Sequence, residues 1–88
     1  MALSFPNESR SYDATRRAVR FWGHDSAMES SFIVTGEALK RVQPDMQFDE
    51  AGILGAFDSN RSLIYATAAK VYSRDRKDFY VLVTADFR

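Results

Sequence analysis

The chain has 88 residues, 45% hydrophobic and 14% aromatic, enough apolar material for one folded domain spanning 1–88 and too much for a disordered chain. Twelve Lys and Arg balance twelve Asp and Glu, so no global basic field draws in nucleic acid or anionic lipid. The absence of cysteine removes disulfides, thiolate metal sites and a cysteine nucleophile.

The first residues lack the basic region and long apolar stretch of a signal peptide. No apolar run approaches the about 20 residues that a membrane helix needs. The expected location is the cytoplasm, with no membrane partner.

Leu3 and Phe5 alternate with small or polar neighbours and predict a short first strand, followed by a loop over 6–11. Two alternating runs, 17–25 and 28–35, predict a hairpin. Its consistent register sets Phe21 opposite Phe32 and Val19 opposite Val34 on one face. The other face then pairs Arg20 with Ile33, Trp22 with Ser31 and His24 with Glu29. Ser26-Ala27 suits a tight primed turn poorly, so a four-residue loop over 25–28 is the expected connection.

Thr35 is positioned to cap a short helix through Val42 that buries Ala38, Leu39 and Val42, and Pro44 ends it. Asp45 or Asp49 caps a second helix carrying Ile53, Leu54 and Phe57, with a break at Asp58-Ser59. Ile64, Ala68, Val71 and Tyr72 mark one face of a longer helix ending near Asp75. Alternation resumes over 78–87 as a final strand, with Phe79, Val81, Val83, Ala85 and Phe87 expected inside and Tyr80, Leu82, Thr84 and Asp86 outside. The predicted fold is α+β, an antiparallel sheet with two or three helices on one face in the order β-β-β-α-α-α-β.

Several stretches resemble the bacterial "domain of unknown function 1488" family over nearly the whole chain. They are Phe5-Pro6-Asn7, the run from Val19 through Arg20, Phe21, Trp22, Gly23 and His24 to Asp25, and Phe57-x-x-Asn60-Arg61-x-x-Ile64 followed by Ala68 and a C-terminal apolar strand ending near Asp86. Many members have a His where this chain has Asn60, so no role is carried to that position. The resemblance implies a small bacterial cytoplasmic protein. It supplies no activity and no catalytic residue.

No motif specifies a reaction. His24 and Asp25 are neighbours, but adjacent strand residues face opposite ways, so Glu29 across the hairpin is the better partner for His24. That pair is explained structurally as a polar contact at the hairpin end, with an enzyme using His24 and Glu29 as the lesser alternative. Asp45, Asp49 and Glu50 are a loose acidic group suited to a helix start rather than a metal site. No phosphate-binding glycine loop is present, and no cofactor is expected. Arg61, near the buried helix face, needs an oxygen partner and is expected to tie helix to loop.

The most informative feature is the sheet face away from the helices. The predicted register places Arg20, Trp22, His24, Ile33, Tyr80 and Leu82 there, with Ser31, Thr35 and Thr84. A solvated face does not ordinarily gather Trp, Ile, Tyr and Leu. Aromatics with Arg serve protein interfaces, and they also serve platforms for single-stranded nucleic acid. Zero net charge favours protein. The expected function is therefore a non-enzymatic interaction domain binding a second copy or another protein, with nucleic acid as the alternative.

Overall fold

The structure, a computed structural model, describes residues 3–87. Chain order is β1 (Ser11–Asp13), β2 (Ala18–Asp25), β3 (Met28–Thr35), α1 (Gly36–Val42), α2 (Glu50–Ser59), α3 (Arg61–Arg74), β4 (Phe79–Leu82) and a 3-10 helix over Thr84–Phe87. The strands form one four-stranded sheet in the order β1-β2-β3-β4. The α+β order expected from the sequence is the observed one.

The β2–β3 register is the expected one throughout, from Val19 opposite Val34 to His24 opposite Glu29. The connection is tighter than expected. Asp25 pairs with Met28, leaving a two-residue loop in which Ser26 takes a φ of 58°, the positive value required at the first position of a primed turn. Ser tolerates that conformation less well than Gly, so the long apolar ladder behind the turn holds it there.

Three other expectations are corrected. The first strand is β1 at Ser11–Asp13, not the Leu3–Phe5 segment. Ser4 instead makes an isolated bridge, exchanging backbone hydrogen bonds of 2.8 Å with His24, while Leu3 and Phe5 turn inward. Gly23 makes their seat, because a Cβ there would lie 2.9 Å from a Phe5 ring carbon and 3.1 Å from Leu3 Cδ1.

The second correction concerns sheet type. β4 runs parallel to β3, with Phe32 beside Tyr80 and Val34 beside Leu82, so the sheet is mixed. The helical segment returns the chain to the start of β3, where Ser31 N donates to Asp78 O at 2.9 Å, and the strand must then run alongside.

The third correction follows from that pairing. Tyr80 and Leu82 share the inner face with Phe32 and Val34, while Phe79, Val81 and Val83 face outward. The final strand also stops at Leu82, and Ala85 and Phe87 belong to the 3-10 helix.

The core lies between the inner sheet face and the helices, with Val19, Phe21, Phe32, Val34, Tyr80 and Leu82 against Leu39, Ile53, Phe57, Ile64 and Tyr72. Burying each large apolar side chain contributes roughly 1.5–3 kcal/mol. Local chemistry sets the helix starts. Thr35 Oγ1 accepts from Ala38 N at 3.1 Å, and Asp49 Oδ1 accepts from Gly52 N at 2.8 Å. The break between α2 and α3 is Asn60 rather than Asp58-Ser59, and its amide donates back to Ala56 O at 2.8 Å. This satisfies an end carbonyl of α2.

Candidate interaction face

On the helix-free face, register places Arg20, Trp22 and His24 from β2 beside Ile33, Ser31 and Glu29 from β3. β4 adds Phe79 beside Ser31 and Val81 beside Ile33. Four of the six residues expected here, Arg20, Trp22, His24 and Ile33, are on this face. Tyr80 and Leu82 are not, and Phe79 and Val81 take their places.

The face is apolar toward β4 and polar toward the hairpin end. Ile33 on this face is fully buried. Phe79 and Val81 beside it are 38% and 47% exposed, and Val83 continues the row. Arg20 lays its guanidinium over the Phe79 ring, 5.8 Å from the centroid. Such a contact is worth about 0.5–1 kcal/mol when exposed and holds the long Arg stem over neighbouring apolar surface.

At the polar end His24 Nε2 lies 3.3 Å from Glu29 Oε2, the cross-strand partner expected from the sequence. The buried Nδ1 of His24 has no hydrogen-bonding partner among the described residues.

A cleft of about 340 Å³ opens at the hairpin end, lined by residues that include Asp25, Glu29, Tyr72, Arg76 and Asp78. His24 is not among its lining residues. Tyr72 donates its hydroxyl proton to Asp25 Oδ2 at 2.9 Å, and Arg76 sits 4.0 Å from the same oxygen and 5.3 Å over the Tyr72 ring. The hydrogen bond to Asp25, followed by burial, raises the Tyr72 pKa above its usual 10.0. Asp25, Tyr72 and Arg76 in this cleft are thus engaged with one another. Among the described residues no three His, Cys, Asp or Glu side chains gather to hold a metal ion. No described helix is long and apolar enough to cross a membrane.

Arg61 has the partners its position demands. It donates to Tyr65 Oη at 2.7 Å and to Asp58 Oδ1 at 3.0 Å, and it lies 4.9 Å over the Phe57 ring. Sequence reasoning missed the other half of this cluster. Arg10 grips Asp58 with two hydrogen bonds of 3.1 and 2.8 Å. The Arg10 hydrogen bonds, reinforced by Arg61, hold the Asp58 carboxyl below its ordinary 3.8. The partners are 48 residues apart, so no local pattern signals them.

The family model for "Protein of unknown function (DUF1488)" matches residues 3–83. The chain belongs to the DUF1488 family. A crystal structure of a DUF1488 protein of unknown function from Shewanella loihica PV-4 is similar in fold, with a TM-score of 0.78 at 17% identity, covering 91% of this chain and 90% of that one. No curated protein matches the chain significantly.

Proposed function

We propose that this DUF1488 chain is a non-enzymatic cytoplasmic interaction domain that uses its helix-free sheet face and the β4 flank of that face to bind protein, in the first place a second copy of itself. The observation that carries this reading is the row of Phe79, Val81 and Val83 standing exposed beside the buried Ile33. Apolar side chains gathered on one flank differ from scattered surface residues, since covering them together contributes roughly 25 cal/mol per Å². Aromatic and Arg side chains at its centre are the residue types that anchor interfaces.

Nucleic acid is the weaker reading. Net charge is zero, and Arg20 is stacked on Phe79 rather than free to meet phosphate. Sedimentation velocity over a wide concentration range tests the proposal. The native chain is expected to dimerise, and Phe79→Ser to shift the equilibrium toward monomer. A native chain that stays monomeric throughout overturns it, as does salt-dependent binding of a single-stranded oligonucleotide that Trp22→Ala abolishes.

A further inference from the structure

We propose that two copies join edge to edge through β4, antiparallel about a two-fold axis at Tyr80, making one continuous eight-stranded sheet. The inference rests on the self-association just proposed and names its geometry. Ser31 N donates to Asp78 O, so in the parallel ladder Asp78, Tyr80 and Leu82 turn their backbone groups toward β3. The N–H and C=O groups of Phe79 and Val81 point the other way, into the open edge. Val83 is closed off, because its N–H donates to Asp86 Oδ2 at 2.8 Å and its carbonyl accepts from Asp86 N at 2.9 Å.

That pattern of free groups selects the register. Phe79 of each copy faces Val81 of the other, both pairs exchange N–H and C=O, and Tyr80 meets its own copy between them. Shifting the axis to Val81 would set Phe79 against the occupied backbone of Val83. In the favoured register two Phe79 and two Val81 side chains meet on the outer face, joining the apolar flanks of both copies. A symmetric pairing of this kind closes on itself and stops at two.

β4 carries no charged residue and no proline, the usual guards of an exposed edge. A strand from an unrelated protein would need its own apolar pair at matching positions. A second copy already has it.

The experiment is sedimentation equilibrium on the native chain, Val81→Pro, Val81→Thr and Trp22→Ala. Val81→Pro removes an N–H that β3 does not use, so folding survives while association weakens by about tenfold or more. Val81→Thr keeps that N–H and the branched shape, and it should still dimerise. If folded Val81→Pro dimerises with native affinity, edge pairing is overturned, and the interface reading survives only if Trp22→Ala loses the dimer. A monomeric native chain overturns both. Should Val81→Pro fail to fold, Phe79→Cys and Val81→Cys chains mixed under glutathione disulfide decide the matter, since the native sequence has no cysteine. Cross-linking chiefly between the two variants supports the register, and cross-linking chiefly within either variant overturns it.

Discussion

At the β1 edge of the sheet the chain folds back over itself. Ser4 bonds to His24, Phe5 lies flat on Tyr65 with ring centroids 4.1 Å apart, and Arg10 grips Asp58 on α2. β1 is three residues long, and Asp13 at its end is turned to Arg16. At the β4 edge the backbone of Phe79 and Val81 is open and their side chains are exposed. The same sheet thus has one edge finished by its own chain and one left apolar. Unpaired apolar edges are costly to leave in a soluble protein because they recruit other strands. The self-association proposed above rests on that open edge, which lies beside a buried Ile33 and a stacked Arg20.

The largest expected effect lies inward of the finished edge. Phe21 packs between Phe5, Phe32, Phe57 and Tyr65, so Phe21→Ala is expected to lose about 3–5 kcal/mol in urea unfolding. A loss below about 1 kcal/mol would mean that the β1 side is not consolidated as described. Gly23→Ala comes next, at about 1–3 kcal/mol, because the added carbon must displace Phe5 and Leu3. If Gly23→Ala unfolds at the native midpoint, the N-terminal segment does not seal that edge.

Asp58→Asn is a smaller change. The carboxylate is 40% exposed, so screening limits the loss to about 0.5–1 kcal/mol at neutral pH. Its folded pKa is depressed, so its stabilisation is fully present above 3.8 and is lost as pH falls through the lower folded value. Urea midpoints of the native chain and Asp58→Asn should therefore converge below pH 3.8. A constant gap would contradict the ion pair. Tyr72 acts in the opposite sense, with stability present below pH 10.0 and lost above it as the hydroxyl held by Asp25 ionises. The smallest effect belongs to the open edge, where Val81→Thr should leave monomer stability within about 0.5 kcal/mol of native.

The hairpin was legible because a period of two sets both phenylalanines on one face and the short connection between the runs fixes which residues meet. Caps at Thr35 and Asp49 were legible because they depend on neighbours three residues on. The faces of β4 were not, since Phe79, Val81 and Val83 alternate with Tyr80 and Leu82, and both sets are apolar. The choice was made by the register beside β3, which sets Tyr80 against Phe32 and Leu82 against Val34, and by partners for the Tyr80 hydroxyl, which donates to Asp75 O at 2.7 Å. Parallel direction is a property of the whole helical crossover and is written in no single window. Register thus places Arg20, Trp22, His24 and Ile33 together, and the β4 residues beside them are Phe79 and Val81 rather than Tyr80 and Leu82.

Amide hydrogen exchange of the native chain, followed residue by residue over a range of protein concentrations, tests the central claim most directly. The Val81 amide is predicted to exchange freely in dilute solution and to become protected as concentration rises, while the amides of β1 stay unchanged. A Val81 amide equally fast at every concentration would contradict the account.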